Sequence, residues 1–182
     1  MWAAEGHVKG ARDDATESRE DIDLYWVVPG RLAGSSYPFA DLPEYHARGI
    51  RAIVSFIPVP PVAEVLMEKF GVDHLFLFVE LMGWPNDEQA GRMVNFVDDQ
   101  LAKDRPVLMH CLQGNGRTGA ALGMYLVWTG VPAAEAIELV RRVRSTAFDV
   151  PEQERAVEIF EEQLPRFRKR VGRDGPPFEL LR

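Results

Sequence analysis

The chain has 182 residues, 46% hydrophobic and 27% charged, a balance that fills one domain core and excludes wholesale disorder. Its single cysteine excludes an internal disulfide and a four-cysteine zinc site, and no apolar run approaches the ~20 residues of a membrane span. The formal charge is −7, so the broad cationic face that nucleic acid needs is not expected.

Residues 1–21 are polar and aperiodic and read as a flexible leader; with no basic-then-apolar start, cytoplasm is the expected compartment. Leu24–Val28 predicts a short strand stopped by Pro29-Gly30, after which Arg31–Gly34 runs into a Ser/Pro-rich loop. Asp41–Arg48 predicts a short helix closed by Gly49, and the β-branched run Arg51–Ile57 a buried strand cut off by Pro58, Pro60 and Pro61. A helix over Val62–Phe70 ends at Gly71, and His74–Val79 reads as an aromatic core strand. Asn86-Asp87-Glu88-Gln89 resembles a capping box, with Met93, Phe96, Val97 and Leu101 following at helical spacing. Arg105–Met109 predicts a fourth strand, and three helices follow over 116–129, 133–144 and 151–168. This alternation predicts one α/β domain over 22–168, with a central, mostly parallel sheet of four to five strands flanked by helices. Residues 169–182 read as a basic tail. The cations around Arg166–Arg170 suit a solvated helix end, or contact with an acidic partner.

The loop between the fourth strand and the 116–129 helix reads His110-Cys111-Leu112-Gln113-Gly114-Asn115-Gly116-Arg117-Thr118-Gly119. Backbone N–H groups of a glycine-bearing loop that feeds a helix N-terminus form a concave anion cradle. The same field favours thiolate over thiol at Cys111 and makes it nucleophilic. The guanidinium of Arg117 can grip two phosphoryl oxygens at once, which a lysine cannot. Thr118 can hydrogen-bond the sulfur and ease its departure, and Gly114 and Gly116 permit backbone that side chains resist. A buried structural cysteine and a dinucleotide site are the competing readings, the latter because residues 114–119 match G-x-G-x-x-G. The chain after Gly119 has no second strand with an acidic residue about 20 positions on, which weakens the dinucleotide reading. A phosphatase loop accounts for every special residue, and H-C-x-x-G-x-x-R-[ST]-G arises by chance in such a chain on the order of once in 10 million.

His110–Gly119 resembles the signature loop of the cysteine-dependent protein tyrosine phosphatases. Trp26–Gly34 resembles the opening strand of the small atypical dual-specificity phosphatases, and Arg141–Arg144 with Glu152–Val157 is similar to their closing helices. The resemblance implies Cys111 as nucleophile, Arg117 as phosphate clamp, Thr118 as helper of the second step and His110 as support for the thiolate. It implies a substrate-binding loop of His110, Leu112, Gln113, Gly114, Asn115 and Gly116. Gln153 matches a family position near that loop, though it also reads as an exposed helix glutamine. The family's general-acid aspartate has no match: Glu80 stands in its place, 31 positions before Cys111, with Asp87 the alternative. Trp84 reads as lining the pocket mouth or as packed core.

These residues imply hydrolysis of phosphotyrosyl, and also phosphoseryl or phosphothreonyl, groups in proteins or peptides through a cysteinyl phosphate. No cofactor is expected, His7, His46, His74 and His110 lack metal-ligand spacing, and a monomer is expected. A phosphatase of a small molecule such as an inositol phosphate or phosphoinositide stays open, although Leu112, Gln113 and Asn115 are uncharged. A weakly catalytic phospho-binding module stays open as well.

Overall fold

A computed structural model describes residues 22–180; the predicted leader lies outside them. Strands β1 (Leu24–Val28) and β2 (Leu32–Ser35) form an antiparallel hairpin across Pro29-Gly30, with Gly30 in the left-handed conformation that the tight turn requires. The sheet continues through β5 (Val107–His110), β3 (Ala52–Ser55) and β4 (Asp73–Phe76), in the order β1-β2-β5-β3-β4. All pairings beyond the hairpin are parallel, so the sheet is the mostly parallel one expected, with five strands. Residues 32–35, left unassigned by the sequence pattern, supply the fifth strand.

Strand alternation divides the interior into two layers. Leu32, Ala52, Val54, Val107 and Met109 face one cluster, whereas Ala33, Ile53 and Leu108 face the other. The first cluster is covered by α3 (Asp87–Leu101), α4 (Gly116–Trp128), α5 (Ala133–Val143) and α6 (Pro151–Val171). The second is covered by α1 (Leu42–Ala47) and α2 (Pro61–Phe70). Every residue of α4 is buried, as its apolar sequence predicts, because the helix lies between the sheet and its neighbours. Asn86 and Gln89 form the predicted capping box of α3.

Two expectations need correction. His74–Val79 is not a six-residue core strand: β4 ends at Phe76 and is the sheet's edge, leaving Phe76 and Phe78 exposed. The boundary drawn after residue 168 falls inside α6, which runs to Val171. Beyond it Arg173 pairs with the buried Asp98 at 3.1 Å and Leu180 is buried, while Arg170 pairs with Asp87 at 2.8 Å. Arg166, Lys169 and Arg170 are exposed at the end of α6, the solvated helix end expected, while Arg173 and Leu180 hold the segment after it against the domain.

Candidate active site

The registers Ser35–His110, Ser55–His110 and Ser55–Phe76 bring the C-terminal ends of four parallel strands to one edge of the sheet. That edge is where ligands bind in open α/β sheets, and it is where Cys111 begins its loop. Cys111 is buried at 3% exposure, in a pocket of about 270 Å³ lined by Leu81, Met82, Cys111, Leu112, Gln113, Arg117 and Asp149. The predicted nucleophile and clamp therefore share one cavity. The Arg117 guanidinium is steadied by donation to the Val79 carbonyl at 3.2 Å.

The loop is held from behind by groups that the motif does not contain. Gly114 has φ +72°, and a Cβ there would lie 2.5 Å from the Ser35 carbonyl, so glycine is required. Its own carbonyl accepts from the Tyr25 hydroxyl at 2.5 Å. Arg144 donates from Nε to Asn115 Oδ1 at 2.9 Å and from an Nη to the Gln113 carbonyl at 2.7 Å, while pairing with Asp23 at 2.6 Å. Thr146 adds a second donor to Asn115 Oδ1. The Asn115 side-chain oxygen is thus committed to Arg144 and Thr146. Leu112 is 59% exposed, and its carbonyl accepts from Tyr37 N–H.

His110 is fully buried, and burial lowers its pKa to about 4. It is therefore neutral near pH 7 and offers Cys111 no positive charge. Nδ1 faces the Cys111 carbonyl at 3.0 Å and must donate; Nε2, 2.6 Å from Ser55 Oγ, must then accept. Ser55 Oγ in turn lies 2.8 Å from His74 Nε2, which completes the chain His74–Ser55–His110–Cys111 carbonyl.

The remaining predicted residues divide. Among the described residues the buried Thr118 hydroxyl has no partner, so the expected bond to sulfur is not formed here and the donor is uncommitted. Gln153 is fully buried, not an exposed helix glutamine: Oε1 accepts from Asp149 N–H at 2.8 Å and Nε2 donates to the Gly83 carbonyl at 3.1 Å. It ties the 80–83 turn to the segment before α6. Glu80 heads that turn, but its side chain is exposed and is not among those lining the pocket. Asp87 is the first residue of α3, behind the Asn86 cap, and pairs with Arg170. Trp84 is 39% exposed and also outside the lining. Asp149 and Arg144 were missed as site residues. The glutamine anchor four positions after Asp149 was the signal in the sequence that pointed to its neighbourhood.

A cysteine and an arginine brought together by one strand–loop–helix turn, on a mostly parallel sheet, define the cysteine-loop phosphatase class. The family model described as "Swiss Army Knife protein, DSP-PTPase phosphatase domain" (PTP-SAK) matches residues 22–157, and the chain belongs to this family. The phosphatidylinositol 3,4,5-trisphosphate 3-phosphatase and protein-tyrosine-phosphatase PTEN1 of Arabidopsis thaliana is 36% identical over 73 residues, 38% of this chain and 16% of that protein. The dual specificity protein phosphatase CDC14AB of Danio rerio is 26% identical over 152 residues, 75% of this chain and 24% of that protein. The chain thus spans a quarter or less of the length of these two relatives. Among solved structures, Tk-PTP in the active form is similar at 26% identity and a TM-score of 0.68, covering 78% of this chain and 97% of that one.

Proposed function

We propose that the protein hydrolyses phosphate monoesters of tyrosyl, and also seryl or threonyl, side chains through a cysteinyl-phosphate intermediate. The observation that carries this reading is the pocket shared by Cys111 and Arg117 at the N-terminal end of α4. Cys111 Sγ attacks phosphorus in line, forming the S–P bond as the P–O bond to the leaving group breaks. The Arg117 fork and the free N–H groups at the start of α4 hold the equatorial oxygens, which carry the developing charge. In the second step water displaces the sulfur, and the uncommitted Thr118 hydroxyl is the donor available to the departing thiolate.

The rim speaks to the substrate. Leu81, Met82 and Leu112 are exposed and apolar, and among the described residues Arg117 is the only cation in the lining. That suits one phosphate on an apolar or aromatic body. A polyphosphorylated inositol ring, such as the one in the Arabidopsis relative's name, calls for more cations than this lining offers.

The test is hydrolysis of a phosphotyrosyl peptide in the presence of chelator. Activity should persist, vanadate should block it, and Cys111→Ser should lower kcat by at least about 1,000-fold. Arg117→Lys should cost about 100-fold or more, since a point charge replaces the bidentate grip. A serine variant with a tenth of the wild-type rate, or activity abolished by chelator, would refute the covalent scheme.

A further inference from the structure

The proposed chemistry needs a proton donor for the leaving oxygen and an acceptor for a proton from water. Among the described residues two charged side chains line the pocket: Arg117, which has no proton to give, and Asp149. Resting on the phosphatase reading above, we propose that Asp149 is the acid–base catalyst of both steps, in place of Glu80.

Four observations converge. The Asp149 carboxylate rests on the phosphate loop itself, because a Cβ on Gly116 would sit 2.1 Å from Asp149 Oδ2. Gly116 is thus the residue that makes room for a carboxylate at the edge of the cradle. The carboxylate is uncommitted: among the described residues no ion pair or hydrogen bond engages it, whereas Asp87 is tied to Arg170. Its backbone is fixed, since the Asp149 N–H donates to the buried Gln153, which reaches across to the Gly83 carbonyl. The chain arrives at it through a left-handed residue that is not glycine, Phe148 at φ 66°, whose buried ring lies under the Arg141 guanidinium. Packing holds this unfavourable backbone in place, and the result is a carboxylate facing the nucleophile's pocket.

The steps balance. As Cys111 Sγ bonds to phosphorus and the ester P–O bond breaks, the protonated Asp149 gives its proton to the departing oxygen, which leaves as a phenol or alcohol. A water then enters. Its oxygen bonds to phosphorus, one of its protons passes to the Asp149 carboxylate, and the P–S bond breaks to release phosphate and restore the thiolate. Asp149 ends protonated, ready for the next turnover.

The experiment uses the full chain and a series of aryl phosphates of graded leaving-group basicity. Asp149→Asn should lose about 100-fold or more on phenyl phosphate and phosphotyrosyl peptide but far less on an activated nitrophenyl ester, steepening the leaving-group dependence. On that activated ester a stoichiometric burst should appear, because the phosphoenzyme forms but its hydrolysis lacks a base. Vanadate affinity, read by calorimetry, should stay within about threefold, which separates lost proton transfer from a damaged cradle. Collapse of vanadate binding in the variant would make Asp149 a structural prop and overturn the proposal. So would a wild-type leaving-group slope in Asp149→Asn beside a steepened slope in Glu80→Gln. Both results leave the phosphatase reading standing, whereas an active Cys111→Ser enzyme would fell that reading itself.

Discussion

At the scale of single residues, the chemistry of Cys111 depends on groups that titrate elsewhere. His110 is held neutral by burial, with a pKa of about 4 against an ordinary value of 6.5. A group whose folded-state pKa is depressed binds fewer protons folded than unfolded between those two values. Its contribution to stability is therefore full above about pH 6.5 and declines as the pH falls toward 4. Between pH 7 and pH 5 the loss is about 2 kcal/mol from this histidine. His74, also lowered by burial, shifts stability in the same direction, so the wild-type slope alone does not assign the effect. Denaturant titrations at both pH values should show the pH-dependent loss smaller by about 2 kcal/mol in His110→Asn than in wild type. An unchanged slope in the variant would mean that His110 takes up its proton over the same pH range folded as unfolded. That Cys111 and Arg117 share one pocket was legible because their spacing lies within one loop. The neutral state of His110 was not, since it follows from burial that only the assembled sheet creates; Ser55 and His74, which complete its hydrogen-bond chain, lie 55 and 36 positions away in the chain.

At the scale of elements, the sequence revealed which segments are helices and strands but not what each one braces. Periodicity and caps located α2, α3 and α4 to within a residue or two, because their apolar stripes, glycine stops and capping box are local. β4 was overextended, since an aromatic run looks the same whether its strand ends up central or at the sheet's edge. The helix over 133–144 was legible, but not that the C-cap residue of α5, Arg144, joins β1, the phosphate loop and Asp23. The guanidinium also lies 5.3 Å from the Tyr25 ring centroid. Removing this brace should leave the fold and loosen the loop. Charged hydrogen bonds are each worth about 1.5–3 kcal/mol, so Arg144→Met should lower kcat/KM by at least about 10-fold. Circular dichroism should show the helices intact, and inorganic phosphate should bind more weakly. Undiminished phosphate affinity would show that Tyr25 and the Ser35 backbone hold the loop unaided.

At the scale of the whole molecule, the cradle is one cationic point in an acidic body. The chain carries a formal −7, and Arg170 and Arg173 are paired with Asp87 and Asp98, so they add no free positive face. On the proposed reading a substrate phosphate is drawn in at short range by Arg117 and the loop N–H groups, while the distant field of the acidic chain repels anions. The Debye length is about 30 Å at 0.01 M salt and about 3 Å at 1 M, so the distant part is screened long before the cradle is. Two phosphotyrosyl peptides that differ only in lysine or glutamate flanks separate these contributions. At about 0.01 M salt the lysine peptide should have the higher kcat/KM, by roughly 10-fold, carried by faster encounter. Raising the salt should slow the lysine peptide, quicken the glutamate one and bring the two toward parity. Apolar residues beside the phosphotyrosine should help both peptides alike, since the exposed Leu81, Met82 and Leu112 rim offers contact that salt does not screen. A glutamate peptide preferred at low salt would mean that the field over the pocket is positive despite the acidic body. The apolar rim would then be a weaker guide to the substrate than the charge around Arg117.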